Sequence, residues 1–198
     1  MKGRLPSLSC KHSWMPTSRR LEALGNGVFA RTDRAKQAHR DKTGVPPLID
    51  LSLGSTDLQP PEEILRCMAA AVTDPASSAY CLEAGTAPFQ QAVAAWCQRQ
   101  FGVEVDPQRQ VQLLVGSQEG TAHLPLAILD PGDRALLLDP SYPSHRGGLV
   151  LAGASICSLP LFQEQDWLPD FDAIRPAVWD QLKLFVLGYP HNPTATVG

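Results

Sequence analysis

Residues 135–145 read ALLLDPSYPSH. An apolar run closes on Asp139, and Tyr142 follows between Pro140 and Pro143. A run so short, bounded by turn residues, reads as a strand buried on both faces. The same rhythm extends outward in VQLLV (111–115), ASICSL (154–159) and LKLFVL (182–187). Helices are expected between these runs, over 119–129, 144–152 and 171–180. Strands alternating with helices imply a parallel sheet covered on both faces. The expected fold is therefore α/β, a three-layer α/β/α arrangement with four parallel strands.

The chain upstream has another character. Residues 1–20 hold five Lys/Arg and no acid; they lack an apolar h-region and contain Pro6 and Pro16, so they read as a disordered leader. Gly25–Lys42 reads as an arm followed by a helix starting near Thr32 or Asp33. LIDLSL (48–53) is expected as a short strand. Pro60-Pro61-Glu62-Glu63 opens a helix, because proline at the start loses no hydrogen bond and acids favour the positive end. Its apolar stripe is Ile64, Leu65, Met68 and Val72. Phe89, Ala92, Val93, Trp96 and Cys97 recur at helical spacing after Gly85, which predicts a buried face. The organisation expected is a leader (1–20), an arm and small-domain segment (21–74), and the first part of a large domain (75–198).

Composition excludes several function classes. With 43% hydrophobic and 19% charged residues the chain is an ordinary globular sequence. A net charge of −3 argues against a nucleic-acid binder, which needs a basic face. No apolar run approaches the roughly 18 residues that span a bilayer. The five cysteines are scattered and form no CxxC pair, which fits free thiols in a reducing compartment and a cytoplasmic location. The histidines show no HExxH spacing, so no metal site is expected.

In open sheets of this kind ligands bind beyond the carboxyl ends of the strands. There the chain presents Gly116-Ser117-Gln118-Glu119-Gly120 entering a helix, whose free N–H groups and partial positive charge suit a phosphate. The same sequence also serves as a plain helix cap. Neither GxxxxGK[ST] nor GxGxxG is present, so the phosphate belongs to neither ATP nor NAD. Tyr142, fixed between prolines, is placed to stack on a flat ligand, though a tyrosine in a turn reads the same way. Asn192, in YPHNPT after the last run, offers an amide donor or simply another turn. Together a phosphate cradle, a stacking ring and an amide donor answer a planar, phosphorylated heteroaromatic cofactor with a phenolic oxygen.

These stretches resemble the class I/II aminotransferases of pyridoxal-phosphate (PLP) fold type I, and in particular the LL-diaminopimelate aminotransferase group. The matching segments are LIDLSLGSTDLQPPEEI (48–64), AYCLEAGTAPFQQAVAAW (79–96), the whole of 113–145, and YPHNPTA (189–195). The resemblance implies the first part of a PLP-transferase large domain, and transfer of an amino group between an amino acid and a 2-oxo acid. It further implies that Ser117 and Gln118 hold the cofactor phosphate, Tyr142 stacks on the ring and Asn192 donates to the phenolic oxygen. Tyr80 matches the tyrosine that reaches the cofactor phosphate of the partner subunit in a homodimer. Gly54 matches a glycine beside the substrate carboxylate. Cis bonds are expected before Pro140 and Pro193. The family's Schiff-base lysine falls beyond residue 198, so no catalytic residue is expected within the chain; Lys183 lies at a strand start, away from the cleft. Marginal stability is expected of these residues alone. Gly25-Asn26-Gly27 stands where relatives carry an aromatic, which puts arm contacts to substrate in doubt. C–S lyase, decarboxylase or cyclopropane-carboxylate synthase chemistry on the same fold, and a non-catalytic PLP-binding module, are the alternatives.

Overall fold

The computed structural model describes residues 17–80 and 82–198. They form two compact units: residues up to Ala38 with Gln118–Gly198, and His39–Ser117. Most of the expected leader lies outside the described residues. Its end, Arg19-Arg20, opens a short helix, α1 (Arg19–Leu24), capped by the Ser18 side chain accepting from the Leu21 N–H. The next helix, α2 (Val28–Arg40), begins before the expected Thr32. Thr32 does not cap it, because its hydroxyl donates back to the Val28 carbonyl at 3.0 Å, a bond available only inside a helix.

The first unit is built on three parallel strands, β1 (Arg134–Asp139), β2 (Ser155–Pro160) and β3 (Leu182–Val186), in the order β2-β1-β3. Ala135 is fully buried, and Leu136, Leu137 and Leu138 are each 2% exposed, as expected for a central strand covered on both faces. Successive side chains alternate sides. Ala135 and Leu137 pack with Leu129, Leu149 and Ala152. Leu136 and Leu138 pack with Leu159, Leu161 and Trp167.

The first of these layers is helical, made by α5 (Ser117–Ile128) and α6 (Pro143–Ala152). Their approach is close: a Cβ built on Gly148 of α6 would stand 2.7 Å from the Thr121 carbonyl oxygen of α5. The opposite layer departs from expectation. Residues 171–180 form a 3-10 turn (Phe171–Ala173) and one short helix, α7 (Pro176–Trp179), in place of a continuous helix. Asp170 caps the first piece by accepting from the Asp172 and Ala173 N–H groups. Pro176 then forces Arg175 into an extended conformation, which separates the two.

The second unit holds α3 (Glu62–Thr73) and α4 (Glu83–Phe101). Two expected strands, 48–53 and 111–115, join no ladder among the described residues, so the parallel sheet there has three strands rather than four. A strand exists only where a neighbour supplies the other half of its hydrogen bonds; here the Gln90 side-chain amide takes the Val111 carbonyl, at 2.9 Å. The apolar stripes of both helices are present, but the face of α4 expected to be buried is at most half-buried, at Val93 and Cys97. Val72 of α3 is 78% exposed, and Phe89 and Trp96 of α4 are also exposed. Amphipathic spacing marks a face for burial without supplying the surface that covers it.

Candidate functional site

The order β2-β1-β3 makes β1 and β3 hydrogen-bonded neighbours that run in the same direction. Their carboxyl ends therefore open on the same edge, and the loops that follow meet there. Tyr142 follows β1 as the N-cap of α6, and Asn192 follows β3. Both line one hollow of about 250 Å³, floored by Leu138 and Val186 from the strand ends and completed by His145, Tyr189 and His191. The residues that the sequence offered as a stacking ring and an amide donor are thus brought together. A neighbouring hollow of about 540 Å³, between the Gly25–Gly27 link and α6, carries no aromatic ring.

The turn bearing Asn192 is tightly held. The His191 N–H donates to the Thr196 carbonyl and the Ala195 N–H to the His191 carbonyl, both at 2.7 Å. The Tyr189 hydroxyl donates to the Trp167 carbonyl at 2.8 Å, and burial pushes its pKa up. His145, in the first turn of α6, presents its ring edge-on to Tyr142 with centroids 5.7 Å apart. Burial, and then the neighbouring His191, lower the pKa of His145, so this side of the hollow favours a neutral imidazole. The peptide bonds before Pro140, Pro190 and Pro193 are cis.

Gln118, in the first turn of α5, belongs to the same unit but is not among the residues lining the hollow, and Ser117 falls in the other unit. The first turn of α5 is nonetheless tied to α6, through the Thr121 and Ser144 hydroxyls at 3.4 Å. Gly116, just ahead of the helix, has φ +81°, a conformation that favours glycine. Tyr80, 94% exposed, and Gly54 belong to the second unit. Lys183 is engaged at the other end of the sheet, where its Nζ meets Asp133 Oδ2 at 2.7 Å beside the start of β1.

Sequence reasoning did not single out His145, Tyr189 or His191. The available signal was spacing: His145 lies one helical turn beyond Tyr142, and Tyr189 and His191 flank the proline ahead of Asn192. The donor set suits a flat, oxygen-bearing aromatic ligand, with a ring for its face, an amide for its oxygen and an apolar floor.

Residues 46–197 match the family model described as aminotransferase class I and II. The chain is 42% identical to LL-diaminopimelate aminotransferase of Nitratidesulfovibrio vulgaris (strain Miyazaki F) over 176 residues, covering 89% of this chain and 45% of that protein. It is 40% identical to the Aquifex aeolicus enzyme of the same name, covering 90% and 46%. Among solved structures it is similar to a probable N-succinyldiaminopimelate aminotransferase from Thermus thermophilus, with TM-score 0.79, 44% identity and coverage of 86% and 45%. It is also similar to substrate-bound BacF from Bacillus subtilis, with TM-score 0.84, 32% identity and coverage of 93% and 46%. The chain spans about half the length of the relatives it matches. From its sequence match and its parallel α/β core, the chain belongs to the class I and II aminotransferases, a family of pyridoxal-phosphate-dependent enzymes.

Proposed function

We propose that the protein carrying this chain is an aminotransferase that moves an amino group between an amino acid and a 2-oxo acid, and that these residues form part of its PLP site. The observation that carries this reading is the meeting of Tyr142 and Asn192 in one hollow at the carboxyl ends of adjacent parallel strands. PLP, when bound, supplies the electron sink for amino-group chemistry.

The chain's own residues hold and orient it. Tyr142 offers a ring face for stacking. The Asn192 amide donates a hydrogen bond to the ring oxygen. Ser117 and Gln118, at the N-terminus of α5, receive the phosphate on free N–H groups. Gly54 lies beside the substrate carboxylate, and Tyr80 reaches the cofactor of a partner subunit in a homodimer. Residues 1–20 act as a leader, 21–74 as arm and small-domain segment, and 75–198 as the start of the large domain. The protein's place is the cytoplasm, and a role in amino-acid biosynthesis fits the names of the relatives. LL-diaminopimelate, in the name of relatives at 40–42% identity, is the first amino donor to assay.

The test is a titration with PLP followed by its absorbance, in the wild-type protein and in Tyr142→Ala. A saturable spectral change that weakens in the variant supports the reading. Its absence in the wild type contradicts it.

A further inference from the structure

His191 is a buried polar residue, 5% exposed, that the cofactor reading leaves without a task. It sits directly before Asn192, and its ring nitrogen Nδ1 lies 2.8 Å from the Thr194 hydroxyl. That hydroxyl in turn donates to the Thr196 hydroxyl at 3.2 Å. A hydroxyl has one proton to give. Where Thr194 gives that proton to Thr196, it accepts from the imidazole and Nδ1 carries hydrogen. The relay His191–Thr194–Thr196 runs beneath the turn formed by residues 192–194, and the two 2.7 Å backbone bonds between His191 and residues 195–196 close the same loop. On its other side the imidazole packs against Tyr189, with centroids 5.3 Å apart, and Tyr189 is anchored to Trp167. The Asn192 amide, exposed at its apex, makes no hydrogen bond among the described residues.

We propose that His191 is a positioning residue: through the hydrogen bond between its Nδ1 and Thr194 it fixes the turn that aims the Asn192 amide into the hollow. This rests on the reading of Asn192 as a cofactor contact. His191 itself touches no reacting atom. An isolated turn would let the amide sample several directions, and a donor fixed in one of them binds an oxygen more tightly because less freedom is lost.

The test uses the protein expressed at the full length its gene encodes, with three variants. His191→Asn keeps a hydrogen-bonding amide close to the place of Nδ1, His191→Leu removes it at similar volume, and Thr194→Val removes the hydroxyl while leaving the imidazole. Amide exchange without cofactor is expected to show Ala195 protected in the wild type and the Asn variant, and exchanging faster in the other two. PLP affinity is expected to fall about tenfold in His191→Leu and Thr194→Val, as for loss of a buried hydrogen bond, and to stay within about threefold in His191→Asn. An Asn variant as impaired as the Leu variant, or a Leu variant with unchanged Ala195 protection, overturns the proposal. Should His191→Leu fail to fold, Thr194→Val decides. Failure of the wild type to bind PLP overturns the cofactor reading alone, and the exchange arm still decides whether His191 holds the turn.

Discussion

Two adjacent glycines of α6 are expected to respond to alanine in opposite ways. A Cβ on Gly148 would stand 2.7 Å from the Thr121 carbonyl oxygen, 3.1 Å from that of Ala122 and 3.2 Å from the Ala122 Cα, all backbone atoms of α5. None of these yields by a side-chain rotation, so Gly148→Ala forces the two helices apart. Overpacking of this kind costs about 1–3 kcal/mol, and a chain of this size loses roughly 2–4 °C in Tm per kcal/mol, so a fall of about 2–12 °C is expected. The nearest atom to a Cβ on Gly147 is Leu24 Cδ2 at 3.8 Å, an ordinary contact. There alanine relieves the entropic cost of a helical glycine, worth roughly 0.5–1 kcal/mol, and Tm should rise by a few degrees. The consequence reaches the site, because Tyr142 is the N-cap of α6 and α5 starts at the proposed phosphate cradle. Gly148→Ala should therefore also weaken PLP binding, and Gly147→Ala should leave it unchanged. Thermal melting followed by circular dichroism, with a PLP titration on each variant, reads both effects. A Gly148→Ala protein as stable as Gly147→Ala would refute the close packing of α5 on α6.

Replacing Tyr142 by Phe should retain PLP affinity within about threefold, because the stacking face survives, while Tyr142→Ala loses about tenfold or more; equal losses in an absorbance titration would exclude stacking. Tyr189→Phe leaves the Trp167 carbonyl without its donor, and a denaturant melt should show about 0.5–1.5 kcal/mol of destabilisation. The Lys183 hydrogen bond, and then the Asp130 N–H, hold the Asp133 carboxyl below the usual carboxylate range, and Asp133 in turn raises the Lys183 ammonium. The folded pKa of Asp133 lies below its unfolded value, so its contribution is present above about pH 3.9 and lost as pH falls through the folded value. For Lys183 the contribution is present below about pH 10.4 and lost as pH rises through its raised value. NMR titration of the Lys183 side chain in Asp133→Asn should show a return to the ordinary range. The apolar stripes of α3 and α4 should make the 198-residue chain by itself bind a fluorescent apolar dye in its native state; silence with a sharp melt would contradict their exposure.

What the sequence revealed, and what it did not, follows from the reach of each signal. ALLLD was legible because a central parallel strand is apolar along its buried length, and the flanking runs 154–159 and 182–187 keep enough apolar residues to be read beside it. VQLLV has the same local look but joins no ladder, since pairing depends on a neighbour that its composition cannot report. The break in 171–180 was written in Pro176, whose effect on Arg175 outweighs the apolar spacing around it. Thr32 misled because threonine caps a helix or back-bonds within it depending on where Gly27 leaves off. At the site, Tyr142 and Asn192 were legible from their positions after strands. His191 was not, because a histidine in a motif carries no sign of its burial, and its relay through Thr194 and Thr196 exists only once the turn closes.

The central claim is that Tyr142 and Asn192 contact one flat ligand. A crystal structure of the protein at the full length its gene encodes, grown with PLP, tests it most directly. The account predicts the pyridine ring stacked on Tyr142, with its ring oxygen within hydrogen-bond reach of the Asn192 amide. Density for PLP elsewhere, or against only one of the two residues, would contradict it.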